Sequence, residues 1–437
     1  MRKILLAAVL IPSVLLGQNR PWTLQECIEY ALDHNLSVKQ SEIGTAQKEI
    51  ELNTAENSRL PGLAASAGEN LSFGRGLTAD NTYANTNTTS SSFTLGGSIP
   101  VFQGFEIRNN IRLSKLDLAA SMSDLEKAKD DIRVAVAQAY VQILYNKKIL
   151  EIAANQVSID SEQLARLEAV KASGKASSAE VAAQKATLAQ SRLSETQAAN
   201  NLSIAVLELT QLLELPSPEG FDVVTPSEDA LKPGLLMNPE EIFAQAEQIK
   251  PAVQSEKIRL EYAEQNIVRA KGAYLPTLSL NGGIGTNFYT SSGYEHKSFG
   301  DQVKNNFSQY IALSLNIPIF SKFATRNSVR TAQLAFNNQQ LQLENVKKSL
   351  YKEIQQAYYN AVTSQEKSRS SEEAASSARL AFELSKEKYE NGKSGITEYN
   401  ESKNRWLEAE SNLLQAKYES LYQEKILDFY RGAELSF

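Results

Sequence analysis

Cysteine and histidine are almost absent from this sequence, which contains one cysteine (Cys27) and two histidines (His34 and His296). One thiol cannot form a disulfide within the chain, and three such residues are too few for a Cys/His zinc site. We therefore expect no metal site and no cofactor. Hydrophobic residues make up 42% of the chain, which is enough to form a packed structure.

Known catalytic motifs are missing as well. The sequence contains no G-x-S-x-G, P-loop or H-E-x-x-H motif. Three S-x-x-K matches begin at Ser349, Ser364 and Ser385. Such matches arise by chance in helices rich in serine and lysine, and no K-T-G or S-D-N motif accompanies them. The sequence therefore predicts a protein that is not an enzyme.

Basic residues are outnumbered by acidic ones. The chain has 45 lysines and arginines against 51 aspartates and glutamates, which gives a net charge of −6. The basic residues are spread along the chain and form no cluster. Because nucleic acid is bound chiefly through concentrated positive charge, we expect no nucleic-acid partner.

Proline is scarce too, since the chain has 12 and none lies between residues 104 and 213. Proline breaks helices more strongly than any other residue, so this stretch favours very long helices. Apolar residues there recur every seven positions along two seams, at 118, 125, 132 and 139 and at 136, 143, 150, 157 and 164. Such heptads are typical of coiled-coil packing.

The N-terminus carries the one long apolar run of the sequence. Arg2 and Lys3 precede an uncharged run at residues 4–16, and the small residue Gly17 follows. We interpret residues 1–17 as a signal peptide. No later stretch has the ~18 apolar residues of a transmembrane helix. The exported protein is therefore predicted either to be soluble or to cross a membrane with β-strands.

The sequence repeats itself once. Four matches lie 218 residues apart (318 − 100, for example): Gln138-Ala139-Tyr140 with Gln356-Ala357-Tyr358, Pro100-Val101-Phe102 with Pro318-Ile319-Phe320, Gly174-Lys175 with Gly392-Lys393, and Glu180 with Glu398. Upstream matches, such as Pro61 with Pro276, lie 215 residues apart. We therefore divide the mature chain into a first repeat at 18–213, a linker at 214–237, a second repeat at 238–431 and a tail at 432–437.

Both repeats are predicted to have the same order of elements. A helix (23–59 and 238–273) is followed by a β-hairpin (about 62–101 and 276–319), a long helix (104–172 and 322–390) and a return helix (178–213 and 397–430). The hairpins are inferred from alternation with a period of two, as in Ile311, Leu313 and Leu315 against Ala312 and Ser314. We expect strands of about ten residues, joined by long polar loops at 75–88 and 286–306.

Four strands are too few to close a barrel, because the smallest membrane barrels have about eight. Open strand edges are not tolerated in lipid. If the strands are embedded in a membrane, the chain must oligomerise, with eight strands from a dimer or twelve from a trimer. The alternative is a secreted structural stalk or spacer made of coiled coil, which would have no use for strands with an apolar face.

The doubled order of elements resembles the TolC family of outer-membrane efflux proteins. The resemblance rests on the signal peptide, the repeated helix–hairpin–helix–turn–helix unit, the two Pro-Val/Ile-Phe junctions and the turn at 389–401 (YENGKSGITEYNE). It covers almost the whole mature chain. It implies a mainly α-helical homotrimer, in which one 12-stranded barrel in outer-membrane lipid stands above a periplasmic coiled-coil tunnel of roughly 100 Å.

The resemblance also implies the function and the partners. The channel would be a passive conduit for drugs, toxic small molecules or proteins. A periplasmic adaptor and an inner-membrane pump would engage the closed tip of the tunnel and open it.

A gate at this tip is a further implication of the resemblance. Glu398 and Glu401 match the family's acidic ring, where six carboxylates of a trimer would favour cations. Glu180 and Tyr389 match an acidic residue and a tyrosine that latch neighbouring helices. The family's gate arginine falls at Ser394, so Lys393 is the nearest cation, and its ammonium cannot make the two parallel hydrogen bonds of a guanidinium.

These gate residues also have purely structural explanations. Glu398 and Glu401 could be solvated glutamates at a helix N-terminus, where the helix dipole stabilises negative charge. Ser177 and Glu180 form a capping-box pattern, in which each side chain accepts a hydrogen bond from the backbone of the other. The sequence does not decide between the gating and the structural roles.

The strand–helix junctions contain a matched proline and phenylalanine in each repeat, Pro100 and Phe102 in the first and Pro318 and Phe320 in the second. Aromatic side chains are enriched where a membrane protein crosses from lipid to water, so the phenylalanines are candidates for that interface. They could equally pack at the bend between strand and helix.

Overall fold

The structure is a computed structural model that describes residues 20–77, 81–227, 234–292 and 294–436. The predicted signal peptide at 1–17 and part of the predicted linker, residues 228–233, lie outside these ranges. The described residues separate into two units. The helical unit comprises residues 20–43, 123–227, 234–254 and 345–436, and the sheet unit comprises 44–77, 81–122, 255–292 and 294–344.

The described residues are mainly helical and include one four-stranded sheet. In chain order the elements are α1 (Leu24–His34), α2 (Leu36–Asn57), β1 (Gly62–Leu77), β2 (Tyr83–Gln103), α3 (Glu106–Ala172), α4 (Ser178–Leu212), α5 (Pro239–Ile249), α6 (Pro251–Gly272), β3 (Thr277–Ser291), α7 (Phe299–Asn305), β4 (Ser308–Asn316), α8 (Ala324–Glu390) and α9 (Ile396–Tyr430). No helix in the described parts of the chain is both long and apolar enough to span a membrane.

The opening helix of each repeat is interrupted, so the prediction of continuous helices at 23–59 and 238–273 was wrong. The breaks fall at Asn35 and Lys250, which are both extended, with ψ of 131° and 127°, and which lie 215 residues apart (250 − 35). Lys250 precedes Pro251, and the residue before a proline is kept out of the helical region. Asn35 instead accepts a hydrogen bond from the Ser37 amide (2.9 Å).

The predicted hairpin loops were also wrong, because the strands are longer than expected. β1 and β2 remain paired as far as Leu77 and Tyr83, so most of the predicted 75–88 loop is strand. β3 continues to Ser291, and α7 occupies much of the predicted 286–306 loop. β4 is shorter than its predicted span and ends at Asn316. Threonine favours strands because it is branched at Cβ. The Thr/Asn/Ser-rich segments were predicted as loops because they are polar, although their threonines are compatible with strands.

The sheet has an apolar face and a polar face. Its strands are antiparallel in the order β1-β2-β3-β4. The apolar face carries Leu63, Ala65, Leu71, Phe73, Phe93, Leu95, Ile284, Phe288, Ile311 and Leu313. The polar face carries Ser66, Asn70, Ser72, Thr88, Ser90, Ser92, Thr94, Ser98, Asn281, Asn287, Tyr289, Ser308, Tyr310 and Ser314. Successive residues of a strand point to opposite faces, so one residue of slippage would exchange them.

Charge is nearly absent from these strands. Among the described strand residues only Glu69 and Arg75 carry a charge at neutral pH, and both lie on the apolar face by register. Glu69 accepts a hydrogen bond from the Ser91 hydroxyl (2.5 Å), and Arg75 lies over the Tyr83 ring near the end of the hairpin (5.8 Å). The polar face is therefore hydrophilic without carrying charge.

The core of the helical unit packs α1 against α3, α4 and the segment that follows α4. Tyr140, from the repeated Gln-Ala-Tyr motif, donates its hydroxyl to the carbonyls of Trp22 (3.1 Å) and Val224 (2.7 Å). Cys27 is fully buried in this core, and burial raises the pKa of its thiol to about 12. Because the thiolate is the reactive form, Cys27 serves packing rather than chemistry.

Candidate functional site

Two matching turns join the long helices to their return helices within the helical unit. Gly174 and Gly392 occupy them with φ of +77° and +70°, a region that glycine adopts without strain. In the second turn the Lys393 amide donates to the Lys388 carbonyl (2.8 Å), and the Gly392 amide donates to the Tyr389 carbonyl (3.0 Å). This paired pattern is a Schellman motif, which satisfies the last carbonyls of a helix.

Substituting alanine for Gly392 is expected to weaken this turn by about 1 kcal/mol. No atom lies within 4 Å of the position that the new Cβ would take, so the cost comes from the backbone conformation alone. In hydrogen exchange read by mass spectrometry, the Lys393 amide should exchange roughly fivefold faster. Gly395→Ala is the control, because Gly395 has a φ of −88° and equally open surroundings. Equal acceleration in both variants would contradict the assignment.

Glu180 caps α4 in the structure. Its Oε2 accepts a hydrogen bond from the Ser177 amide (2.7 Å), and its own amide donates to the Ser177 hydroxyl (3.1 Å). The capping box that the sequence suggested is therefore formed. The latching role of Glu180 stays a prediction.

Glu398 occupies the same place in α9 as Glu180 in α4, but it is not used as a cap. The residue before α9 is Gly395, which offers no side chain for a capping bond. The Glu398 side chain is 57% exposed, and its Oε1 lies 4.0 Å from the Lys388 Nζ. Glu401 follows three residues later and is also exposed. Both carboxylates are thus accessible on the first turns of α9, as an acidic ring would require.

Tyr389 connects α8 to α3. Its hydroxyl accepts a hydrogen bond from the Gln163 Nε2 (2.7 Å), and the Arg166 guanidinium lies 6.0 Å from its ring. Burial raises the pKa of Tyr389, the charge of Arg166 opposes this, and the charge of Glu180 adds to it. Tyr389 and Glu180 therefore lie close enough to interact electrostatically. Their latch stays a prediction, and sequence reasoning missed Gln163, which donates the hydrogen bond to the Tyr389 hydroxyl.

Lys393 and Ser394 complete the second turn. The Lys393 side chain is exposed, and its backbone amide supports the turn. The Ser394 hydroxyl is buried, and no hydrogen-bond partner is described for it. A gating role for Lys393 remains a prediction.

The strand–helix junctions in the sheet unit contain the four predicted residues. A register shift separates Pro100 from Phe102 in β2, and the Phe102 ring meets Phe105 edge to face at 5.2 Å. Pro318 and Phe320 lie beyond the end of β4, and Phe320 meets Phe323 edge to face at 5.5 Å. Each phenylalanine thus contacts one aromatic ring at the bend, but Phe320 remains 71% exposed in the single chain. A place for both at a membrane interface stays a prediction.

Sequence reasoning missed a buried ion pair near these turns. The Lys403 ammonium of α9 pairs with the Asp160 carboxylate of α3, and both side chains are 0% exposed. From α4, the Ser191 hydroxyl donates to Asp160 Oδ2 (2.5 Å), and the Gln184 Nε2 donates to the Asp160 backbone carbonyl (3.2 Å). The missed signal is that Asp160 lies between Val157 and Leu164, which occupy an apolar heptad seam.

Comparisons with known proteins agree with the doubled architecture. The model of the family described as outer membrane efflux protein matches residues 27–214 and 242–433. The outer membrane efflux protein BepC of Brucella suis is 20% identical over 87% of this chain and 79% of its own length. The outer membrane protein TolC of Vibrio cholerae is 26% identical, but the match spans 41% of this chain and only 40% of that protein.

Solved structures share the fold. The CmeC outer membrane channel of Campylobacter jejuni superposes with a TM-score of 0.77 at 20% identity, over 95% of this chain and 87% of that one. At such low identity the likeness concerns the fold alone. The family model, however, covers both repeats and most of the sequence. The chain therefore belongs to the outer membrane efflux protein family, whose members are passive channels of the outer membrane rather than enzymes.

Proposed function

We propose that three copies of this chain form one 12-stranded barrel in the outer membrane and a helical tunnel in the periplasm. Each copy contributes four strands, and β1 and β4 each have one unpaired edge within the described sheet. In lipid those edges need partners, because hydrocarbon offers no hydrogen bonds to backbone groups. Pairing β4 of one copy with β1 of the next would close the barrel.

The observation that carries this proposal is the division of the sheet into two faces. On the apolar face, Leu63 is 77% exposed and Ile311 is 84% exposed in the single chain. Large exposed apolar surfaces indicate contact with another protein or with lipid. The opposite face is hydroxyl- and amide-rich and uncharged, which suits a water-filled interior. The alternative of a secreted stalk gives this apolar face no role.

The proposed transport is passive, with energy supplied by an inner-membrane pump. A periplasmic adaptor would engage the turns that contain Gly174 and Gly392 and open the tip. The cargo would be drugs, other small molecules or proteins. The family membership and the absence of nucleotide-binding motifs support this reading. Residues 1–17 are proposed as the signal peptide, 18–213 and 238–431 as the repeats, 214–237 as the linker and 432–437 as the tail.

The proposal is tested by expressing the full chain in a Gram-negative host and fractionating the cells. We expect the protein in the outer membrane, released only by detergent, with a protein mass of three chains and ion conductance in planar bilayers. Recovery from the periplasm without detergent would refute the channel. A mass of two chains would replace the trimer by an eight-stranded dimer.

A further inference from the structure

The Asp160–Lys403 pair joins three helices at one buried point. Asp160 lies on α3, Lys403 on α9, and the two further donors to Asp160, Ser191 and Gln184, lie on α4. Tyr399, one turn before Lys403, is 3% exposed, and burial together with the nearby charge of Asp160 raises its pKa to about 12. On α9, therefore, both Lys403 and the residue one turn before it are shielded from water.

We infer that the Asp160–Lys403 pair is the latch that holds α9 against the α3–α4 hairpin in the closed channel. The tip would open only when this pair is broken. The inference rests on the proposed channel function, because it concerns how that channel opens. It assigns the main latching role to two residues outside the turns rather than to Glu180, Tyr389 or Lys393.

A buried ion pair suits a latch better than it suits general stabilisation. Removing two charges from water costs about as much as their attraction returns, so the pair adds little net stability over apolar residues. Breaking it is nevertheless costly, because an unpaired charge then remains in the interior. Any motion that separates α9 from α3 must therefore overcome a steep barrier at this point.

From residue 160 to residue 166, the contacts that α3 makes with α8 and α9 become progressively more exposed to solvent. Asp160 is fully buried with its partner, Gln163 is 7% exposed and binds Tyr389, and Arg166 pairs with Glu390 at 44% exposure on each side. Exposed ion pairs contribute little. The three contacts follow one face of α3 at intervals of three residues, and the buried one has the largest energetic consequence when it is lost.

The pair joins α3 of the first repeat to α9 of the second repeat, and the equivalent positions with the repeats exchanged do not carry it. At the offset of 218, Lys403 corresponds to Lys185 of α4, and Asp160 corresponds to Ala378 of α8. Lys185 is 59% exposed and pairs with the exposed Glu168 (3.0 Å). The same buried pair therefore cannot form with the repeats exchanged. This asymmetry makes Lys185 a matched control, because it has the same residue type at the equivalent helical position.

Asp160→Asn should open the channel. It leaves the Lys403 ammonium buried without a carboxylate, so α9 should move until the ammonium reaches water. We expect the open probability of the purified channel in planar bilayers to rise at least about tenfold. Lys403→Met should act in the same direction but less strongly, because Asp160 keeps its donors on α4. This second variant serves if the first does not fold.

The double variant Asp160→Leu/Lys403→Met separates a latch from simple damage. It removes both charges, while the Ser191 hydroxyl keeps the Thr187 carbonyl (3.1 Å) and the Gln184 Nε2 keeps the backbone carbonyl of residue 160 (3.2 Å). Because no unpaired charge remains, the melting temperature should stay close to that of the wild type. The open probability should nevertheless rise as in the single variants, because the pair that holds α9 against α3 is absent. Lys185→Met should leave the channel closed.

Three results would overturn the latch. They are a channel that stays closed in both Asp160→Asn and Lys403→Met, a double variant that is as closed as the wild type, and a channel that opens in Lys185→Met. If neither the wild type nor any of the variants conducts, the proposed channel function is refuted instead. A wild-type channel that conducts, with single variants that behave identically to it, would refute the latch alone.

Discussion

Ile311→Lys is expected to prevent stable insertion of the sheet into the outer membrane. Ile311 lies in the middle of β4 on the apolar face, opposite Gly282, and is 84% exposed in the single chain. A lysine on the lipid face near the bilayer midplane costs about 2–4 kcal/mol, and a trimer would carry three. We expect the detergent-extracted oligomer to disappear from the outer-membrane fraction.

The neighbouring residue provides the control. Ala312 pairs with Asn281 on the polar face, so a lysine there should point into water. Ala312→Lys should assemble normally and should reduce cation conductance by adding positive charge to the interior. If Ile311→Lys assembles while Ala312→Lys does not, the two faces have been assigned the wrong way round.

The sheet shows that a strand can be predicted from the sequence only where apolar and polar residues alternate. Alternation identified β4 and the inner part of β2, because Ile311 and Leu313 or Phe93 and Leu95 contrast with polar neighbours. From residue 83 to 92 the chain reads YANTNTTSSS, and no apolar contrast remains. There the pairing depends on the backbone ladder with β1, which composition does not encode.

The duplication could also have predicted the break in the opening helix of the first repeat. Pro251 is a direct signal for the interruption after Lys250. The offset of 215 transfers that signal to Asn35, where no proline is present. The local reason at Asn35 is tertiary, because its side-chain amide donates to the Leu212 carbonyl (3.0 Å), a contact that no local pattern predicts.

The candidate site likewise has a part that is predictable from local sequence and a part that depends on tertiary packing. Glycines at 174 and 392 predicted the turns, because the left-handed backbone conformation that they adopt is marked by residue type. The pairing of Asp160 with Lys403 joins residues 243 positions apart. This pairing depends on the packing of α9 on α3. A charge within an apolar heptad seam is a local sign that Asp160 needs a buried partner, but it does not identify that partner.

Replacing both glutamates at the start of α9, in Glu398→Ala/Glu401→Ala, is expected to abolish most of the cation preference of the channel. In a trimer the variant removes six carboxylates from one constriction. Rings of acidic side chains concentrate cations locally by about tenfold or more. We therefore expect the cation-to-anion permeability ratio, measured by reversal potentials across a salt gradient, to fall by at least about tenfold. Block by added divalent cations should weaken in parallel.

The matched control removes the same number of charges elsewhere. Glu366 and Glu372 on α8 are 60% and 65% exposed and pair with Arg369 and Lys417. Glu372, the nearer of the two to the turn, lies 18 residues (390 − 372) before the end of α8, which is about 27 Å along the helix. Because exposed charges far from a constriction are screened within about 10 Å at 0.1 M salt, Glu366→Ala/Glu372→Ala should leave the permeability ratio almost unchanged. An equal fall in both double variants would mean that Glu398 and Glu401 act through net charge. An unchanged ratio in the first variant would mean that they do not face the pore, and that their exposure on α9 reflects only solvated glutamates at a helix N-terminus.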